Sequence, residues 1–430
     1  METFDVLVLG SGAAGFAAAV TAKEQGASVA VLSRGAGASA VSSGAFDFGR
    51  PAAQGSPTDF ASRTQHNTWK STYSRLLADP GNPPSPVDAQ RVFMGIERAL
   101  GLPLKMSWEK ALLLPVSNGH WKQVHVAQAA QAGIDLEAIQ GKKVAFVYHA
   151  SWRLTARPLC RQWEQTAEMN FGKKVEIEAV DLSALSPMPD APLPVVAVRL
   201  QRDTEFRTRF FQMVAEIGKG VDAVLLPPIF LDPKFLESLQ KEVQKPVSEC
   251  LGTVEAVPGK RLQDSIFSAL DRAQIPLFRA DHIRAEITDD LVSGVDYWNQ
   301  GDSGPRKLRA GKYVLASGKF FGGGVDLQYE KLSEPLFGLP LYWSRQESFA
   351  ERRAELPWSD RGFFESQTWS QLGVWVDERW QPVGPDNRAV LNNVFACGSV
   401  IGGLDFARER VGLGYMIYSG GQCGLVAAKT

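Results

Sequence analysis

Phe4-Asp5-Val6-Leu7-Val8-Leu9-Gly10-Ser11-Gly12-Ala13-Ala14-Gly15 opens the chain, and its reading decides the fold. The apolar run to Leu9 reads as a buried strand and the glycines as a tight turn. The small residues beyond Gly12 read as the first turn of a helix ending near Gly26. Val29-Ala30-Val31-Leu32 supplies the next strand. A strand, a glycine-rich turn and a helix in this order hold a nucleotide pyrophosphate. Gly10 makes the turn, Gly12 admits the phosphates to the backbone, and Gly15 lets the helix pack on the strand. Ala13 and Ala14 lie at the helix N-terminus, where free N–H groups face an anion. Many such sites end the second strand on an acid that binds the adenosine ribose, but this chain has Ser33-Arg34. Ser33 keeps a hydroxyl for that ribose. Arg34 is either a surface residue or a cation lying over the adenine or a phosphate.

Two later stretches widen the reading. Tyr313-Val314-Leu315-Ala316-Ser317-Gly318 is a second strand closing on glycine, and Val394-Phe395-Ala396-Cys397-Gly398-Ser399 is a third, followed by Gly402-Gly403. Nicotinamide dehydrogenases with one terminal nucleotide domain do not need this three-part pattern. Flavoproteins do, because distant segments hold the two halves of their cofactor. The expected fold is α/β: a Rossmann-like FAD-binding domain with an inserted second α/β domain.

The opening GSGAAG, the Ser42-Ser43-Gly44 turn, VLASGKFFGGG from Val314 to Gly324 and FACGSVIGG from Phe395 to Gly403 resemble the B-type subunit family of anaerobic glycerol-3-phosphate dehydrogenase. That family lies among the flavoproteins related to succinate dehydrogenase and fumarate reductase. The resemblance implies a flavin subunit working with a sister flavoprotein subunit and an iron–sulfur, membrane-anchoring subunit. Electrons would pass from glycerol 3-phosphate to quinone through those partners. The family is usually described as carrying FMN. A pyrophosphate turn suits FAD better, since FMN offers it only one phosphate. Where the family has a glycine-rich run after Gly402-Gly403, this chain has Leu404-Asp405-Phe406-Ala407-Arg408-Glu409-Arg410. It also has Ser117-Asn118-Gly119-His120-Trp121-Lys122 in place of a Thr-rich segment.

Composition sets bounds. The 430 residues carry 40 glycines and a formal net charge of -1, which favours tight α/β turns and gives no drive toward nucleic acid. No apolar run reaches a membrane-spanning length, and the chain starts on a strand rather than a secretion signal. The expected location is cytoplasmic, with any membrane association peripheral and through a partner. Four scattered cysteines without a CxxC pair, and histidines without HxxH spacing, predict no metal or iron–sulfur site. The expected domains are residues 1–100 and 258–430 for the flavin and 101–257 for an inserted substrate or cap domain. A small cap is expected at 343–380.

The cofactor should bind at Gly10, Gly12, Ala13, Ala14, Gly15, Ser33, Arg34, Ser42, Ser43, Gly44, Ser317, Gly318, Gly398, Ser399, Gly402 and Gly403. Ser399 stands where a carboxylate is often found and is expected on a ribityl hydroxyl. Arg408 and Arg410 are candidates for anion recognition or for stabilising reduced flavin, because a guanidinium fork suits phosphate and carboxylate. A surface cluster with Asp405 and Glu409 is the plainer account. His120 is a candidate base for a substrate hydroxyl and Lys122 a candidate phosphate ligand, against a simple solvated loop. Two further readings stand beside the dehydrogenase subunit: a self-contained flavin enzyme for a small carboxylate, and a non-catalytic relay or scaffold.

Overall fold

The opening β–α–β unit consists of β1 (Glu2–Leu9), α1 (Ala13–Glu24) and β2 (Val29–Ser33). In the computed structural model, residues 2–46, 86–108, 110–148, 155–182, 191–252, 257–328, 331–344, 347–348, 368–404, 406 and 412–429 are described. Helix α2 (Pro86–Leu100) buries Phe93 and Ile96. A second α/β unit follows, with β3 (Lys143–Tyr148), α3 (Ala156–Phe171), β4 (Glu176–Asp181), α4 (Leu193–Arg202), α5 (Thr204–Gly218), β5 (Ala223–Leu226), α6 (Pro233–Val243) and β6 (Val247–Glu249). The chain then returns through α7 (Val257–Arg272), β7 (Leu277–Arg279), β8 (His282–Thr288), β9 (Leu291–Trp298), β10 (Arg306–Leu315), β11 (Val394–Ala396) and α8 (Leu413–Lys429).

Two sheets result. The first runs β7-β2-β1-β10-β9-β8, with β11 beside the end of β10. Its β7, β2, β1, β10 and β11 are parallel, whereas β8 and β9 form an antiparallel extension. The second, β6-β5-β3-β4, is wholly parallel and drawn from residues between the two halves of the first. This is the doubly wound domain with an inserted α/β unit that the sequence implied.

Register matters most here. Leu9 pairs with Leu32 and with Leu315, and Leu315 pairs with Ala396. The C-terminal ends of β1, β2, β10 and β11 are therefore level. Everything that follows them in sequence (the Gly10 turn, Ser33-Arg34, Ala316–Gly318 and Cys397–Ser399) leaves the same edge of one sheet. Ligands bind at that edge in open α/β sheets.

Helix α8 packs along α1 through small residues. A Cβ on Gly420 would fall 2.1 Å from the Ala14 carbonyl oxygen, and one on Gly424 would fall 2.3 Å from that of Ala18. The two backbones meet along an i, i+4 seam that no larger residue can enter. Gly424→Leu should cost about 1–3 kcal/mol or more, as overpacking does, read as a lower urea midpoint. A midpoint equal to wild type would refute the seam.

Helix α4 starts at Leu193 with Pro194 in its first turn. Proline is tolerated there, since the N–H it lacks would have no helical partner. The expected cap at 343–380 falls largely outside the described residues. Its described part pairs Leu341–Ser344 with Gly373–Val374.

Candidate flavin site

The turn after β1 is built by contact with β10. Gly10 has φ +124°, and a Cβ there would lie 2.3 Å from the Ala316 carbonyl oxygen. Gly10 N–H donates to Leu32 O at 2.8 Å and Ala316 N–H to Leu9 O at 2.9 Å, which ties the ends of three strands together. Helix α1 begins immediately afterward with no acid in its first turn, so its positive end stays available to an anion. One of its N–H groups is already taken, since Ala13 N donates to Ser39 Oγ at 2.9 Å.

A cavity of about 850 Å³ runs along this edge, toward the upper end of the roughly 300–1,000 Å³ usual for ligand sites. Gly10, Ser11, Gly12, Ala13 and Ala14 form its middle. Ser33, Arg34, Ile283, Leu336, Ser42, Ser399, Phe406 and Met416 line it as well. Ser317 and Gly318 also line it. The two remote ends of the chain thus share one elongated cavity.

Not every expected residue reaches it. Gly15 lies behind the turn, where a Cβ would meet Gly10 O at 1.9 Å. Ser43 O accepts from Gln131 Nε2 at 2.9 Å, and Gly44 leaves room for the Gln131 amide, so both join the turn to the second unit. Gly398 lies against Ala14, and its N–H donates to Ser419 Oγ at 3.1 Å. Gly402 packs on Gly373 and the Tyr342 carbonyl, and Gly403 on the Trp375 ring, so these two serve close packing rather than the cavity wall. His120 and Lys122 stand on the hairpin of Leu112–Pro115 with Trp121–Val124. This hairpin is fastened to α3 by Trp121 Nε1 donating to Trp163 O at 2.8 Å and Thr166 Oγ1 to Gly119 O at 3.0 Å. Neither residue lines the cavity, and His120 is exposed. Arg408 and Arg410 lie outside the described residues, as do His66 and His149.

Ser11, Lys319 and Glu334 line the cavity and were not singled out from sequence. Ser11 and Ser33 hydroxyls lie 2.8 Å apart and both reach the Gly35 carbonyl, at 3.0 and 2.8 Å. The Ser33 hydroxyl is therefore engaged within its own loop. Lys319, next to the noted Ser317-Gly318, donates to Ser370 O at 2.5 Å and stands over the Phe406 ring. Glu334 is 1% exposed and accepts N–H groups of Leu336 at 3.0 Å and Phe337 at 2.8 Å. Burial pushes its carboxyl pKa up, and those backbone bonds partly offset the rise. No local pattern marks Glu334, because its burial depends on chain far from it in sequence.

The cavity fits a flavin dinucleotide. Ser42 Oγ and Ser317 Oγ are buried, line the cavity and have no hydrogen-bond partner among the described residues. An orphaned buried hydroxyl is costly unless a ligand or water satisfies it. Together with the helix terminus and a cavity of about 850 Å³ reached by the ends of β1, β2 and β10, these groups fit FAD. Among the described residues no cluster of three or more His, Cys, Asp or Glu could hold a metal ion. No described helix is long and apolar enough to cross a membrane.

Comparison with known proteins finds relatives along nearly the whole chain. The B-type subunit of anaerobic glycerol-3-phosphate dehydrogenase from Pectobacterium carotovorum is 26% identical over 445 residues, covering 97% of this chain and 96% of that protein. The protein of the same name from Yersinia enterocolitica is 27% identical over 431 residues, with the same coverage. A probable counterpart from Halobacterium salinarum is 29% identical over 220 residues, 50% of this chain and 49% of that one. Among solved structures, 3-ketosteroid-delta4-(5alpha)-dehydrogenase from Rhodococcus jostii RHA1 aligns over 100% of this chain and 97% of its own, with TM-score 0.43 and 13% identity. An open flavocytochrome c3 fumarate reductase gives 0.42 and 12%, over 100% of this chain and 78% of its own. The family model described as FAD binding domain matches residues 5–83 and 254–414, which hold the Gly10 turn, β10 and the β11 edge. The chain belongs to this FAD-binding-domain family of flavoprotein oxidoreductases, and its cofactor is FAD.

Proposed function

We propose that the chain is a flavin-carrying subunit of a dehydrogenase that oxidises glycerol 3-phosphate to dihydroxyacetone phosphate. The observation that carries this reading is similarity to the B-type subunits of anaerobic glycerol-3-phosphate dehydrogenase along nearly the whole of both chains. The reaction takes two electrons and two protons from a secondary alcohol. FAD, when bound, supplies the two-electron acceptor. The protein's part is to grip and orient: the Gly10–Ala14 turn and α1 for the pyrophosphate, Ser42 and Ser317 hydroxyls for polar groups of the cofactor, and Lys319 as a cation in the wall.

Electrons then leave by way of other chains. Cys160 and Cys250 are buried in the core of the second unit, and Cys397 and Cys423 in that of the first. These thiols stay apart as two pairs in different cores and do not form a four-thiolate cluster site. Burial holds Cys160 at a pKa of about 12, far from a reactive thiolate. A sister flavoprotein subunit and an iron–sulfur subunit delivering to quinone are the partners this reading requires. His120 and Lys122, which do not line the cavity, carry no part of it.

Anaerobic titration tests the reading. Glycerol 3-phosphate should bleach the oxidised-flavin absorbance, in the isolated chain or once the sister subunit is added, and acid should release FAD. Bleaching by a dicarboxylate but not by glycerol 3-phosphate, with or without the partner, would overturn it.

A further inference from the structure

We propose that Arg34 holds the adenosine half of FAD, taking over from the acid that this chain lacks at the end of β2. The hydroxyl beside it is not free for that task. Ser33 is 4% exposed, and its Oγ is shared between Ser11 Oγ, Gly35 O and Gly35 N–H. Glu334, the carboxylate lining the same cavity, is turned to the backbone N–H groups of Leu336, Phe337 and Leu339. Neither residue supplies a free acceptor for a ribose.

Arg34 is placed differently. It is exposed and lines the cavity, and its Nη1 lies 3.4 Å from where a Cβ on Gly323 would stand. The guanidinium thus reaches from the end of β2 to the Gly322–Gly324 turn, where the absence of side chains leaves a flat approach. Among the described residues it has no carboxylate partner. Ile283 and Leu336 give the cavity apolar lining. A planar cation over a wall of this kind suits an adenine face, through cation–π attraction, and an adjoining phosphate, through its N–H fork. Arg34 lies on the surface and outside the core, so removing it leaves the fold intact.

The inference rests on the FAD assignment and is independent of the glycerol 3-phosphate reading. FMN lacks the adenosine half and serves as the internal control. The full-length chain, depleted of flavin, is titrated with FAD and with FMN by flavin fluorescence at two salt concentrations. Arg34→Ala should weaken FAD about tenfold and leave FMN unchanged, with Arg34→Lys between wild type and alanine. The salt dependence of FAD binding should also flatten in Arg34→Ala, since one cation no longer takes part. Equal FAD affinity in wild type and Arg34→Ala would overturn the role. So would an equal loss for FAD and FMN, which would signal general damage, checked independently by circular dichroism. Wild-type protein that binds FAD no more tightly than FMN would overturn both this role and the dinucleotide assignment, whatever glycerol 3-phosphate does.

Discussion

Replacing Gly10 with valine is expected to yield a colourless protein. At φ +124° a β-branched side chain is strained by about 1–3 kcal/mol before any contact is counted. Its Cβ would also fall 2.3 Å from Ala316 O and 2.7 Å from Ala316 C, and both of these are backbone atoms that cannot rotate away. The turn must therefore move off the end of β10. With it go the start of α1 and the line of contact between the two halves of the cavity. Bound FAD should fall by at least about tenfold, the factor that 1.4 kcal/mol of lost affinity produces. Flavin released by acid and measured per mole of folded protein checks this. Gly12→Ala makes the comparison, because a Cβ there meets only Ser39 Oγ, at 3.3 Å, and the Gly37 Cα, at 3.9 Å. Full flavin content in Gly10→Val would show that the cofactor does not depend on this turn.

The second large effect is expected at the joint between the two units. Arg261 on α7 and Glu249 at the end of β6 form an ion pair at 2.9 Å, with side chains 2% and 0% exposed. Arg261 also donates to Gln128 Oε1 and to Phe230 O, and Glu249 Oε1 accepts from Ile229 N at 2.7 Å and Phe230 N at 2.6 Å. Every strong polar group of the pair is satisfied, which is what makes such a buried pair tolerable. Arg261→Leu leaves the carboxylate buried without its cation and should cost about 3–5 kcal/mol. That is a large share of the roughly 5–15 kcal/mol by which proteins are stable. Removing the charge from both partners, with Arg261→Leu and Glu249→Gln together, should recover part of the loss, because no uncompensated charge remains. Urea unfolding of the two variants checks the order. A double variant less stable than Arg261→Leu would show that lost hydrogen bonds, not the stranded charge, set the cost.

Both predictions turn on contacts between residues far apart in sequence, and this separates what was legible from what was not. The opening β–α–β unit could be read residue by residue, because continuous apolar runs, glycine spacing and strand length are local properties. Gly402 and Gly403 looked the same in sequence as Gly10 and Gly12. Tertiary packing gives them a different task, against Gly373 and Trp375. The His120 loop carried chemically suggestive residues, yet its hairpin is fastened to α3 and does not line the flavin cavity.

From sequence alone came the α/β class, the inserted unit and the expectation that strand ends at residues 9, 315 and 396 build one dinucleotide site. Periodicity and turn chemistry act over a few residues, so one chain suffices to show them. Only the folded molecule decided which hydroxyls are left without partners, which glycines face the cavity and which face a neighbouring strand, and that Ser33 is occupied while Arg34 reaches over the cavity. Each of those depends on the distance between atoms brought together by strand register, and no local pattern encodes that distance.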